Sequence, residues 1–176
     1  MQVEVVDLVK AAFNNSSYGV NAKLLTIVTG SGDLIPPQIV TVESELDNNN
    51  AAMMLTPEFD MQVPAIQIFL PHQNIVVSSD VVSGTQDADV AVLARLVYKR
   101  SDSAAALRSF LYTIRAMKMC MNSFINDANE ADRELRNVQI VLFAKDLEIV
   151  ETGAYIGDNW ITGGLLMTFK VRDITP

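Results

Sequence analysis

Residues 87–103 read DADVAVLARLVYKRSDS, and the fold turns on how that stretch is divided. With a period of two, Val90, Val92, Ala94, Leu96 and Tyr98 share one face, and Ala91, Leu93, Arg95, Val97 and Lys99 share the other, the alternation of a β-strand. The first face is core. The second mixes apolar residues with two cations, which suits neither a plain solvent face nor a strand buried on both sides. At SDS the period changes. Asp102 or Ser103 can cap a helix, and Leu107, Phe110, Leu111, Ile114, Met117, Met121, Phe124 and Ile125 form one broad helical stripe. A long strand therefore runs straight into a long helix.

Working outward, Val5, Val6, Leu8, Val9, Ala12 and Phe13 recur at helical spacing with Glu4, Asp7 and Lys10 on the remaining arc, so an amphipathic helix opens the chain. NNSSYG breaks it. Asn21 can cap a second, short helix from Ala22 to Val28 that ends at Gly30, and a short strand follows at Ile39 to Val42. Residues 43–62 keep no period and read as a long loop studded with Met53, Met54, Leu55, Phe59 and Met61; such side chains pack either on their own core or on a neighbouring subunit. VPAIQIFLP is a strand fenced by Pro64 and Pro71, and strand pieces at Ile75 to Val77 and Val81 to Val82 lead back to the opening stretch. Beyond the long helix, NDANEADREL is a polar break. Strands at Val138 to Ala144 and Leu147 to Val150, a glycine-marked hairpin in TGAYIGDNWITGG, and a last strand from Ile161 to Val171 complete the chain. The expected fold is α+β: one domain over residues 1–176, a mostly antiparallel sheet with the long helix and the N-terminal helix packed on one side.

Composition narrows the chemistry. The chain of 176 residues is the size of one domain. Its single cysteine, Cys120, rules out an internal disulfide framework. MQVEVVDLVK carries acids where a secretory signal would carry bases, and no apolar run is long enough to span a bilayer, so no membrane association is expected. The lone histidine, His72, beside Pro71, reads as a turn residue rather than a general base. One His and one Cys cannot build a zinc site, and neither GSGD nor TGG completes a phosphate loop or a dinucleotide fingerprint. No catalytic residue, cofactor or metal ligand is expected. The net charge of −8 argues against general affinity for nucleic acid.

The weight falls on surfaces. Residues 1–94 carry two bases against eleven acids, whereas residues 95–176 carry eleven bases against ten acids. Arg95, Lys99, Arg100, Arg108, Arg115 and Lys118 crowd into one strand and the first half of the helix after it, and Arg108, Tyr112, Arg115, Met119 and Asn122 fall on one stripe of that helix. The plain reading is a solvated face. The alternative is a subunit contact, in which Arg95, Lys99, Arg108 and Arg115 meet the acids of the N-terminal half, and Leu93, Val97, Tyr112 and the loop residues Met53, Met54 and Phe59 supply apolar area. A contact between two different patches is heterologous and closes into a ring when the rotation permits.

The order of elements in VPAIQIFLP, ADVAVLARLVYK, DSAAALRSFLYTIRAMKMCM and DNWITGGLLMTFKV resembles that of the tail terminator, or tail-completion, proteins of long-tailed bacteriophages. The resemblance covers residues 63–172 and is one of layout rather than of a short motif; residues 14–62 are bulkier than in the smallest members of that family. It implies a homo-oligomeric ring, a hexamer, at the head-proximal end of the tail tube. There it would stop tube polymerisation and contact the tail tube protein on one side and a neck, or head–tail connector, protein on the other. DNA would pass through the lumen without specific binding. The protein would reside in the virion after assembly in the host cytoplasm. Another neck or tube ring protein is the alternative within this class; an unrelated soluble enzyme or binding domain is the alternative outside it.

Overall fold

The computed structural model describes residues 2–32, 39–44, 64–70, 76–78, 86–99, 104–143, 150–156 and 160–174. The stretch that decides the fold forms β4 (Gln86–Lys99), and it leads to the long helix α3 (Ala104–Asn126). Before them come α1 (Gln2–Phe13), α2 (Val20–Ser31), β1 (Thr41–Ser44), β2 (Ala65–Phe69) and β3 (Val76–Ser78). After them come a 3-10 turn (Glu130–Arg133), β5 (Glu134–Leu135), β6 (Val138–Phe143), β7 (Val150–Ile156) and β8 (Trp160–Asp173).

β4 and β8 are each 14 residues long and pair antiparallel without interruption, from Gln86 opposite Asp173 to Lys99 opposite Trp160. This pair is the spine of the sheet. β2 pairs with the Leu93–Val97 half of β4 and β3 with the Asp87–Asp89 end, while β7 and β6 divide the far side of β8 in the same way. β1 adds to β2 in the one parallel pairing described, and β5 adds to β6, giving the order β1-β2-β4-β8-β6-β5. At the middle of the spine the backbones come so close that a Cβ on Gly164 would lie 2.1 Å from the Ala94 carbonyl oxygen. β5 turns into β6 through Arg136 and Asn137, both at positive φ (49° and 65°), the backbone of a two-residue type I′ hairpin.

The Val90, Val92, Ala94, Leu96 and Tyr98 face of β4 is buried, as its alternation requires, and shares one core with the apolar faces of α1, α2 and α3. Tyr98 meets Phe110 edge-on at 6.0 Å between ring centroids, and its hydroxyl lies 2.8 Å from Thr113 Oγ1. Because the single Thr113 hydroxyl proton is given to the Ser109 carbonyl, Tyr98 is the donor in that pair. Cys120 is buried and donates to the Ala12 carbonyl of α1. The α+β architecture, with helices on one side of a mostly antiparallel sheet, is as the sequence pattern requires.

Several boundaries differ from the expected ones. α2 is a full helix from Val20 to Ser31 that stops at Gly32 in the left-handed region (φ 69°), one turn longer than Ala22 to Val28. Asn21 is not its cap: Gly19 holds that position, and Asn21 sits inside the first turn. Its carboxamide has a different task. Nδ2 donates to the Val40 carbonyl (3.0 Å) and Oδ1 accepts from the Val40 amide (2.9 Å), fastening the approach to β1 onto the helix layer. That attachment leaves Ile39 exposed, and the strand begins at Thr41 instead of Ile39. Leu107 and Leu111 of the expected core stripe are exposed, because α3 turns Phe110, Ile114, Met117 and Met121 squarely inward. The polar break after α3 is structured, holding the 3-10 turn and β5. The cap residues Asp102 and Ser103, His72, the piece at Val81 to Val82, and Met53, Met54, Leu55, Phe59 and Met61 lie outside the described residues.

Candidate subunit interface

The second face of β4 is one stripe of a larger surface, the side of the sheet turned away from the helices. Register carries β2 residues Ala65, Gln67 and Phe69 opposite Val97, Arg95 and Leu93, and β8 residues Thr162, Gly164 and Leu166 opposite the same three. Ala65, Gln67 and Val97 are buried; Phe69, Leu93, Arg95 and Leu166 are half-buried; Lys99 is exposed, opposite the half-buried Trp160. On β6, Leu142 is 45% exposed and pairs with Lys170 after a register shift.

Arg95 sits at the centre of this surface. Its Nε donates to Gln67 Oε1 at 2.9 Å, its Nη2 donates to the same oxygen, and its guanidinium carbon lies 5.6 Å from the centre of the Phe69 ring. Gln67 is 1% exposed, so the amide that holds the guanidinium is itself fixed in place. Gly164 on the neighbouring strand adds no side chain beside Arg95. Partial burial pushes the Arg95 pKa down, with desolvation as its cause and no carboxylate among the described residues acting against it. The group stays charged at neutral pH all the same. It is a half-desolvated cation held by a neutral amide and an aromatic ring, with donor capacity left over. At the other end of β4 charge is balanced. Asp87 accepts from Arg172 Nε at 3.0 Å and lies 3.7 Å from Lys170 Nζ, and the hydrogen bond from Arg172 holds its carboxyl below the ordinary value.

The helix residues expected to join this surface lie elsewhere. Tyr98 sends its side chain to α3, so α3 covers the face of β4 opposite to Arg95. Arg108 and Arg115 are exposed on the outer side of α3, while Tyr112 and Met119 lean into the core. The structure therefore gathers Leu93, Arg95, Val97 and Lys99 and separates them from Arg108, Tyr112 and Arg115 by the thickness of the sheet and helix layers. Beside Arg115 on that outer side, Leu111 is 54% exposed, and Leu25 of α2 is 55% exposed.

Of the eleven acids in the N-terminal half expected to meet these cations, Asp33, Glu45, Asp47, Glu58, Asp60 and Asp80 lie outside the described residues. Of those in the N-terminal half, Glu4, Asp7, Glu43, Asp87 and Asp89 are described and all are half-buried. The fully exposed acids of the described residues are Asp127, Glu130, Asp132 and Glu134, spanning the end of α3, the 3-10 turn and β5. Arg133, between them, turns inward and donates to the carbonyls of Ile125 and Val141. NDANEADREL carried the signal, since it holds four acids in ten residues, but a polar run reads first as a break.

Among the described residues, no group of three or more His, Cys, Asp and Glu could hold a metal ion, and no helix is long and apolar enough to cross a membrane. The chain matches no protein-family model and no curated protein.

Proposed function

We propose that the protein is a ring-forming structural subunit of a virion, with the tail terminator of a long-tailed phage as the specific role: a cap on the tail tube that ends its growth and offers a docking surface to the neck. The observation that carries the assembly part of this reading is Arg95. A guanidinium half withdrawn from water, gripped by a buried Gln67 and stacked on Phe69, is unfavourable to keep on a free surface. A carboxylate brought by a neighbouring subunit would meet its remaining donors, while Leu93 and Leu166 beside it would bury against the same neighbour. The element order that resembles tail terminators supports the specific role, and the acidic net charge suits a subunit that lets DNA pass without holding it.

The test is the assembly state of the purified protein, by light scattering with negative-stain microscopy. Rings are expected, with an axial opening wide enough for duplex DNA. Removing one member of a desolvated charge pair costs about 2–5 kcal/mol, against less than about 1 kcal/mol for an exposed one. Arg95→Glu is therefore expected to dissolve the ring with an unchanged circular dichroism spectrum, while Lys23→Glu on α2 leaves it intact. A ring of wild-type yield from Arg95→Glu would remove the observation on which the reading stands. Addition of the ring to growing tail tubes, with elongation stopping, is the outcome specific to a terminator.

A further inference from the structure

The helix layer, on the side of the sheet away from Arg95, carries an exposed face of its own. We infer that this face is a two-fold contact with a second copy of the chain, in which the α3 helices lie antiparallel and the leucine and arginine stretch of each meets the acidic turn, residues 127–134, of the other. The inference stands apart from the ring reading: the contact pairs two subunits, or two rings where rings form.

This face is open in the single subunit. Leu107, Leu111, Arg115 and Asn122 share one side of α3 by helical spacing, and all four are exposed, Leu107 by 40% and Leu111 by 54%. On α2, which packs along α3, Leu25 is 55% exposed. Burial pushes the Cys120 thiol up to about 12 while Lys23 of α2 pulls it the other way, so α2 passes the middle of α3 and sets Leu25 beside it. Leucines this exposed on adjoining helices form a patch rather than isolated side chains.

Charge selects the occupant. Arg115 stands at the middle of α3, and Asp127, Glu130, Asp132 and Glu134 follow its end; all five are exposed, and none makes an ion pair among the described residues. The acidic turn belongs to the same layer. Its 3-10 segment touches α1 and α3, and Tyr18, just ahead of α2, has its pKa raised by burial and then by the nearby Asp132. Rotation about an axis midway between Arg115 and Asp127, at the level of residue 121, brings each Arg115 to the other copy's Asp127 and each Leu111 to its exposed Ala131. One motion thus satisfies both ends, with Asn122 and Leu25 beside the axis. With its 23 residues α3 is about 35 Å long. Together with α2 it offers about 500 Å2 per copy, close to the lower bound of about 1,000 Å2 in total for a specific contact, so the pair is a reversible one.

Full-length Asn122→Cys protein tests this, because Asn122 lies beside the axis and the native Cys120 is buried. A short thiol-to-thiol cross-linker is expected to give a covalent two-chain species under denaturing conditions, in a yield that rises with protein concentration. Adding Arg115→Glu or Asp127→Lys to that background is expected to cut the yield about tenfold, since each reversal acts twice in a two-fold contact. Both reversals in one chain are expected to restore it. The three positions are exposed, so circular dichroism should not change. Failure of Asn122→Cys to link, a yield indifferent to either reversal, or no recovery in the combined variant would each overturn the inference. Arg95→Glu is expected to leave the link intact while it abolishes rings, so loss of one contact is read separately from loss of the other.

Discussion

Replacing Gly164 by alanine should damage this protein well beyond the usual cost of one methyl group. A Cβ there would sit 2.1 Å from the Ala94 carbonyl oxygen and 2.9 Å from the Arg95 Cα, and both atoms belong to backbone that cannot rotate aside. Relief requires β4 and β8 to part by about 1 Å at the middle of the spine, an overpacking strain of about 1–3 kcal/mol, taken here at its upper end. Removing a glycine's freedom from the unfolded chain returns about 0.4–1 kcal/mol. The net loss is about 2 kcal/mol, which for a domain of this size lowers Tm by about 4–8 °C. Gly30→Ala is the matched control: Gly30 lies inside α2 with nothing within 4 Å of its added Cβ, so the same substitution should stabilise by about 0.5–1 kcal/mol. Thermal unfolding followed by circular dichroism reads both. Equal Tm values for the two variants, or a Gly164→Ala protein as stable as wild type, would show that the spine has slack and that the close approach of its strands costs nothing to relax.

Asn21→Ala removes both hydrogen bonds to Val40 and leaves a partly buried amide and carbonyl to be satisfied otherwise; denaturant titration should show a loss of about 1–3 kcal/mol with little change in slope. Tyr98→Phe should cost about 1 kcal/mol, and Thr113→Val more, because only the second change strands the buried Tyr98 hydroxyl proton; equal costs would mean that the proton runs the other way, from Thr113 to Tyr98. The carboxyl of Asp87 is held below its ordinary value of 3.8, so its contribution is present above the unfolded-state pKa and fades as pH falls through the folded one. Asp87→Asn should therefore flatten the acid limb of the stability profile and leave its shape unchanged above pH about 5.

The two long strands and the long helix were legible because each carries one uninterrupted period over many residues, so that Val90 to Tyr98 and Phe110 to Phe124 could be assigned to buried faces from spacing alone. Short elements were not. β5 has two residues, too few for alternation to register, and it exists because Arg136 and Asn137 turn the chain back onto β6. Asn21 has the residue type of a cap; its true partner, the backbone of Val40, is fixed by packing of β1 against the helices and leaves no local trace. The same limit applies to the candidate interface. Alternation placed Arg95 and Lys99 together on the face opposite the core, but only the fold shows that α3 lies behind that face, which sends Arg108 and Arg115 to the far side of the subunit. The sign change at Arg95 was visible in the sequence, whereas which acids remain exposed depended on the ion pairs of Asp87 and the inward turn of Arg133.

The spine also sets the order in which this protein can be made. Its two strands flank α3 and most of the C-terminal half in sequence, so Lys99 must wait for Trp160, and Gln86 for Asp173, before their hydrogen bonds can close. During synthesis β4 leaves the ribosome long before β8, with one whole edge unpaired and its core face covered only by whatever helices have already formed. Pairing across such separations is slow, and an open, apolar strand edge is a template for aggregation while it waits. The helices α1 and α2, already made by then, can shelter that face as a temporary partner. A chain truncated before Trp160 should accordingly fail as an aggregate rather than as a smaller folded unit, and supply of the residues 160–173 as a separate peptide should rescue solubility in proportion to its occupancy of the empty edge.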